Sequence, residues 1–209
     1  MGPVLGVVLA AGGSTRMGRP KQLALVDGRP LLAHVLAALE GDPVDRVVVA
    51  LGGAAGEVLD RVDLGRAEPL VVEGWAAGMG HVLASTLGEA GDGWGAVVLL
   101  LGDQPLVTGA AVGRVVAAWR AGAGPVVTAT YGGRPGHPKL FDRSLLPDLL
   151  GLAGDTGARD LVATHPEWVH RIEVGDLGSD ADVDVEADLE RVGAMLTSND
   201  IRAMPTRPP

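Results

Sequence analysis

The sequence predicts an α/β protein in three layers, α/β/α, with a mostly parallel central sheet. Three observations carry that prediction. Val4 to Ala11 and Ala96 to Leu101 are short, almost wholly apolar runs, the pattern of strands covered on both faces. Such runs alternate with segments of helical spacing, as in Leu31, Leu32, Val35, Leu36 and Leu39, which is the order of a sheet with crossover helices. The first run leads into glycines and closely spaced cations, and the run at 96–101 leads into Gly102-Asp103-Gln104-Pro105. Open α/β sheets place ligands beyond the carboxyl ends of their strands, so these two turns should share one edge.

Residues 9–23 follow the first strand with small residues and glycines, then Arg16, Arg19 and Lys21, a composition suited to backbone wrapped around a phosphorylated ligand. Pro30 to Leu39 reads as a helix with proline in its first turn,. Val44 to Leu51 reads as a strand, Glu57 to Val62 as a helix, Pro69 to Val72 as a strand and Gly80 to Ala90 as a helix. Ala96 to Leu101 has no polar face and must be buried on both sides,. A helix over Ala110 to Arg120 and a strand over Val126 to Thr130 come next, then a polar turn, Gly132-Gly133-Arg134-Pro135-Gly136. His137 to Phe141 reads as a short strand, Ser144 to Leu150 and Ala158 to Thr164 as helices, and Val169 to Val174 as a late strand. The acidic stretch Asp176 to Glu190, with Asp180, Asp182 and Asp184 alternating, leads into a helix reaching about Leu196. One domain over 1–196 is expected, with 197–209, rich in Ser, Asn, Asp and proline, as a disordered tail,.

A chain of 209 residues can bury one sizeable core, and four Trp, one Tyr and one Phe leave that core to Val, Leu and Ala,. A formal charge of −9 argues against a general nucleic-acid or membrane-surface binder,. With no cysteine, disulfides and thiolate metal sites are excluded,. No apolar run approaches the roughly 18 residues of a membrane span. The first apolar stretch lacks a basic flank and runs into the glycine loop, unlike a signal peptide. A soluble, cytoplasmic protein is the expectation, with neither nucleic acid nor membrane as partner.

The glycine loop departs from two common phosphate motifs. Gly13 to Gly18 has P-loop spacing, but Arg19-Pro20 stands where Lys-Ser or Lys-Thr belongs, and there is no Gly-x-Gly-x-x-Gly at this turn,. Taken alone, a glycine turn with exposed arginines competes evenly with a functional reading.

Leu9-Ala10-Ala11-Gly12-x-x-x-Arg16-Met17-Gly18-x-x-Lys21 resembles the signature of the MobA-like nucleotidyltransferases, and Gly102-Asp103-Gln104-Pro105 resembles their metal-binding turn. Trp75 with Gly78-Met79, Gly136-His137-Pro138, Gly154-Asp155-x-Gly157-Ala158-Arg159 and Asp182-Val183-Asp184 extend the resemblance across nearly the whole chain, toward the molybdenum cofactor cytidylyltransferases (MocA-like). The resemblance implies a Rossmann-like nucleotidyltransferase fold that transfers CMP from CTP to a molybdopterin-type cofactor with release of pyrophosphate. It implies nucleotide binding by Leu9, Ala10, Ala11, Gly12, Gly13, Arg16, Lys21, Gly78 and Met79, with Arg16, Lys21 and Asp103 catalytic. Mg2+ would be held by Asp103 with Asp182 or Asp184, although a solvated acidic face at a helix start accounts for most of that segment. His137 and Arg159 are implied on the acceptor side, and a molybdoenzyme or insertion chaperone as a further partner.

Departures from the family pattern fall at Glu73 and at Gly80-His81, where base contacts are expected. The second alanine of Leu-Ala-Ala-Gly favours cytidine by resemblance. Trp75 either stacks on a base or pterin or is simply buried, and Arg159 meets either substrate or Asp155 or Asp160. His34, His165 and His170 lack metal-ligand spacing and read as structural,. The alternatives are another phosphorylated acceptor such as a sugar phosphate, an NAD(P)H-dependent oxidoreductase of the nicotine blue oxidoreductase kind on the same fold, or a non-catalytic cofactor chaperone.

Overall fold

The computed structural model describes residues 2–13, 17–42, 44–155 and 157–197. Among them, β1 (Val4–Ala10) is followed by a two-stranded hairpin, β2 (Leu25–Val26) and β3 (Arg29–Pro30), and by α1 (Leu31–Ala37). β4 (Arg46–Leu51), α2 (Ala55–Arg61), β5 (Glu68–Val71), α3 (Met79–Ala90) and β6 (Ala96–Leu101) follow. Next come α4 (Gly109–Arg120), β7 (Val126–Tyr131), β8 (Arg134–Asp142), α5 (Leu146–Leu150), α6 (Arg159–Thr164), β9 (Val169–Glu173) and α7 (Glu186–Thr197).

Seven strands form one sheet in the order β5-β4-β1-β6-β8-β7-β9. β8 pairs antiparallel with both β6 and β7, and the remaining pairs are parallel. The chain order 5-4-1 on one side of β1 reverses at β6 on the other, so the crevice between their carboxyl ends is a topological switch point, where α/β sheets bind ligands.

Alternation along the central strands fixes the layers. Val4, Val8 and Ala10 of β1 and Ala96, Val98 and Leu100 of β6 pack with residues of α1, α2 and α4. Leu5, Val7, Val97 and Leu99 face the other way, against α3 and α5. Both faces are dry, which is why these strands read as unbroken apolar runs. Glycine at position 6 is forced by contact, since a Cβ there would sit 2.9 Å from Val44 Cγ1 and 3.1 Å from Leu39 Cδ1.

Two expectations need correction. The β2–β3 hairpin was not anticipated; Asp27 and Gly28 turn it with φ of 49° and 73°, the pair of positive φ values of a type I′ turn. The polar turn expected over 132–136 is confined to its first residues, because Arg134, Pro135 and Gly136 belong to β8. β6 covers β8 only as far as the Leu99–Lys139 pair. Pro135 therefore lies beyond β6, where its missing N–H breaks no ladder on that side.

The acidic segment before α7 does not run free. α7 contributes Leu189 and Val192 to a small core with Ala181 and Val183, Val26 of the hairpin and Leu31 of α1. The chain from 198 onward, and with it the expected tail beyond Thr197, lies outside the described residues. Among the described residues no helix is long and apolar enough to cross a membrane.

Candidate active site

The glycine loop leaves β1 at the sheet edge and is pinned from below. Gln22, only 2% exposed, donates its amide to the carbonyls of Ala10 at 2.6 Å and Gly12 at 3.4 Å. A buried amide committed to two loop carbonyls holds their curvature and leaves the neighbouring N–H groups for a ligand. Gln22 belongs to a single 3-10 turn, Lys21–Leu23, that also sets the direction of Lys21.

β6 delivers the other half. Gly102 N–H donates to Leu9 O at 2.9 Å, and a Cβ on Gly102 would approach Ala10 Cβ to 2.8 Å. Only glycine lets the two strand ends lie this close, and the next residue, Asp103, is thereby set beside the loop. Lys21 Nζ lies 2.5 Å from Asp103 Oδ2 and 3.6 Å from Asp184 Oδ1. The Lys21 and Asp103 side chains are 18% and 19% exposed, so the pair is partly desolvated and stronger than a surface ion pair. The other oxygen, Asp103 Oδ1, is buried with no hydrogen-bond partner.

The acidic segment reaches the site through its backbone. Val183 N–H donates to Asp103 O at 2.9 Å, and buried Gln104 donates to Asp182 Oδ1 at 2.7 Å and Asp180 O at 3.2 Å. Alternation then separates the aspartates. Asp184 stands beside Lys21, whereas Asp182 turns to Gln104.

A cavity of about 310 Å³ lies above these groups, lined by Ala10 to Gly13, Lys21, Asp103, Trp75, Gly78 and Met79. The half-buried Trp75 ring rests on Gly52 and Gly53, where a Cβ would approach it to 2.9 and 2.8 Å. Met79 is 41% exposed, and Gly80 N–H donates to Gly154 O at 2.7 Å, joining the start of α3 to the 154–155 turn.

A second cavity, of about 560 Å³, opens on the far side of Asp103 and is lined by His137, Lys139, Arg159, Arg171, Asp180 and Asp182 among others. A smaller one of about 80 Å³ shares Leu9, Met79 and Leu101 with the first and His137, Lys139 and Arg159 with the second. Desolvation, then the charges of Lys139 and Arg159, push His137 down to a pKa of about 3, so its ring is neutral at any working pH. Burial, then Arg159, also hold the Lys139 ammonium below its ordinary value.

The structure thus brings Leu9 to Gly13, Lys21, Gly78, Met79 and Asp103 to one cavity, with Asp184 beside Lys21, and Asp182, His137 and Arg159 to the other. Arg16 lies outside the described residues. Arg159 is not paired with Asp155 or Asp160. His34 bonds Val26 O at 2.9 Å, and His165 stacks on Trp168 with ring centroids 3.6 Å apart, both structural roles. His81 Nε2 bonds Glu73 O at 2.8 Å, so the two unusual positions of this region are tied to each other. Sequence reasoning missed Gln22, whose signal was a polar residue wedged between Lys21 and Leu23. It also missed Lys139, a cation alternating with His137 and Phe141 on an otherwise apolar strand.

Among the described residues no cluster of three or more His, Asp or Glu side chains could hold a metal by itself. The open Oδ1 of Asp103 with Asp184 close by fits an ion that takes one or two carboxylates and completes its shell with phosphate oxygens and water, as Mg2+ does.

Comparison with known proteins agrees with this geometry. The profile of the MobA-like NTP transferase domain matches residues 6–169. Nicotine blue oxidoreductase of Paenarthrobacter nicotinovorans is 32% identical over 199 residues, spanning 90% of this chain and 96% of its own. The bifunctional protein GlmU of Acidiphilium cryptum is 40% identical over 144 residues, 68% of this chain and 31% of its own; the chain spans about a third of the length of such GlmU relatives. The crystal structure of Rv0371c from Mycobacterium tuberculosis H37Rv superposes with a TM-score of 0.80 at 33% identity, covering 92% of this chain and 98% of that one. Its complex with manganese superposes with a TM-score of 0.76 at 30% identity and the same coverage. The sheet order, the loop and Asp103 turn at its switch point, and the match over residues 6–169 place the chain in the MobA-like NTP transferase family, on the Rossmann-like nucleotidyltransferase fold.

Proposed function

We propose that the protein is a magnesium-dependent nucleotidyltransferase that moves CMP from CTP to a molybdopterin-type molybdenum cofactor and releases pyrophosphate. The observation that carries this reading is the Lys21–Asp103 pair, 2.5 Å apart beside the glycine loop at the switch point of the sheet. A manganese complex of a relative with the same fold supports a divalent ion. The lean to CTP and to this acceptor rests on motif resemblance, with Ala11 in Leu-Ala-Ala-Gly the mark for cytidine.

The triphosphate lies against the N–H groups of Gly12 and Gly13, with Lys21 facing its charge. A phosphate oxygen of the acceptor, entering from the His137 side, attacks the α-phosphorus in line. The bond from the α-phosphorus to its bridging oxygen breaks, and pyrophosphate leaves with the electron pair. No covalent enzyme intermediate is needed, so catalysis comes from positioning and from cations already in place. Lys21 and Arg16 stabilise the growing negative charge. Asp103 and Asp184 would hold the magnesium, which when bound supplies further neutralisation of phosphate charge. Cytoplasmic location and delivery to a molybdoenzyme or insertion chaperone belong to the same proposal.

The test is incubation with Mg2+, each labelled nucleoside triphosphate and molybdopterin, followed for pyrophosphate. Release with CTP alone supports the reading. Release with CTP only when a sugar phosphate replaces molybdopterin changes the acceptor but keeps the chemistry. A second reading is favoured by the end-to-end match to nicotine blue oxidoreductase: no release with any acceptor, with oxidation of reduced nicotinamide by a dye, would replace the first.

A further inference from the structure

The segment that brings Asp184 to Lys21 is anchored at one end by burial and at the other by a carboxylate. Ala181 and Val183 are buried in the small core under α7. Val183 N–H donates to Asp103 O at 2.9 Å, and Asp182 Oδ1 accepts from Gln104 at 2.7 Å. Apolar anchoring ends there, because Val185, next in the alternation, is 43% exposed. The Asp184 side chain is itself 42% exposed. Asp188, the third residue of α7, takes over from packing. Its Oδ2 accepts from the N–H groups of Asp184 at 2.9 Å and Val185 at 3.0 Å, and its own N–H donates to Val185 O at 3.0 Å. Arg191 fixes the carboxylate in turn, donating to Oδ1 at 2.8 Å and to Asp182 O at 3.5 Å. The Arg19–Glu186 pair crosses the same helix start, but its side chains are 49% and 68% exposed, so it contributes little.

We infer that Asp188 is a positioning residue for the metal site: its bonds to the backbone of residues 184 and 185 set where the Asp184 carboxylate stands beside Lys21. The inference rests on the nucleotidyl-transfer reading and adds to it a residue one step behind the Asp184 ligand. An acid at the third position of a helix that accepts from the backbone at the helix entry also caps that helix, so Asp188 contributes to the stability of α7 as well. Capping accounts for the bond to Val185. It does not account for the bond to Asp184, nor for Arg191, which links the Asp188 carboxylate to Asp182 O and so ties both arms of the turn together. Magnesium demands near-octahedral geometry from its ligands, and the partners behind a ligand commonly change metal affinity by roughly 10–100-fold. A carboxylate standing partly in solvent takes that geometry from its backbone, and here Asp188 holds the backbone.

The experiment titrates Mn2+ alone into the full-length protein and reads the free ion by electron paramagnetic resonance, with no nucleotide present. Asp188→Ala should weaken Mn2+ affinity about tenfold or more. Asp188→Asn, whose amide oxygen still accepts from both N–H groups but whose NH2 then faces Arg191, should fall between that variant and wild type. Asp184→Asn removes the ligand directly, so adding Asp188→Ala to it should weaken Mn2+ binding no further. If Asp188→Ala does not fold, Arg191→Gln, altered at a side chain 37% exposed, is expected to give a several-fold loss in the same direction. Unchanged affinity in Asp188→Ala, or in Arg191→Gln where it stands in, would overturn the positioning role. So would losses that add in the double variant, or a wild-type chain that binds no Mn2+. The two proposals fail separately. Mn2+ affinity that depends on Asp188 through Asp184, without pyrophosphate release from any nucleotide, removes the transfer reading alone. Pyrophosphate release with unchanged Mn2+ affinity in Asp188→Ala removes the positioning role alone.

Discussion

The ammonium of Lys21 lies 2.5 Å from a carboxylate oxygen of Asp103, across 82 positions of the chain. A strand-following loop and a second strand end meet there, and each supplies one sign of charge. Asp103 keeps its other oxygen open. The pair therefore does two things, holding Lys21 in place and leaving a ligand position for a cation.

Removing that carboxylate is expected to cost function and spare the fold. Asp103→Ala and Asp103→Asn should lower magnesium-dependent pyrophosphate release by at least about a hundredfold, the scale seen when one preorganised charge contact is lost. Circular dichroism and the thermal midpoint should stay close to wild type. Wild-type turnover in either variant would remove Asp103 from the chemistry.

Gln22 is expected to matter for both stability and nucleotide affinity. Gln22→Leu keeps the volume but leaves the Ala10 carbonyl without its 2.6 Å donor, a loss of about 1–3 kcal/mol. Urea unfolding should show that loss, and nucleotide affinity should weaken as the loop relaxes. An unchanged dissociation constant for nucleotide would mean that the loop does not depend on this amide.

Two glycine replacements should move stability in opposite directions. In Gly102→Ala the added methyl meets Ala10 Cβ at 2.8 Å, forcing β1 and β6 apart at the site, for about 1–3 kcal/mol of destabilisation. Gly113 sits within α4 with nothing within 4 Å of an added Cβ, so Gly113→Ala should stabilise by roughly 0.5–1 kcal/mol. Differential scanning calorimetry of both variants reads the contrast directly. Equal shifts would contradict the packing described for Gly102.

His137 gives the protein an acid-sensitive term. Its folded pKa, about 3, lies below the ordinary 6.5, so the unfolded chain takes up a proton that the folded one refuses. The stabilisation is complete above about pH 6.5 and is lost as pH falls toward 3. The slope approaches about 1.4 kcal/mol per pH unit within that window. His137→Gln should show a flatter dependence of unfolding free energy between pH 4 and 7 than wild type. Parallel curves would place the ring in contact with water.

The legible parts of the sequence were those where one physical signal dominated. Ala96 to Leu101 matched its strand residue for residue, because an all-apolar run admits only burial on both faces,. Lys21 and Asp103 were assigned to one edge from topology alone. The start of β8 was hidden because Gly132 to Gly136 has turn composition, and only the end of β6 explains why Pro135 and Gly136 are tolerated in a strand. The β2–β3 hairpin carried its Asp27-Gly28 signal, but two-residue flanks give no periodicity to confirm it. Asp182 and Asp184 look equivalent in sequence; Gln104, 78 positions before Asp182, decides which of them faces Lys21.

The backbone bond from Val183 to Asp103 also orders events during synthesis. A ribosome releases the glycine loop, Lys21 and the Asp103 turn well before residues 179–184, which carry the partners of Gln104, Leu106 and Lys21. Until those residues emerge, the nascent chain has the strands of the sheet but not the wall behind its carboxylate. Assembly of the site is thus deferred until residues 179–184 are made, and a chain terminated shortly before Ser179 would hold the strands of the sheet without a finished place for a nucleotide.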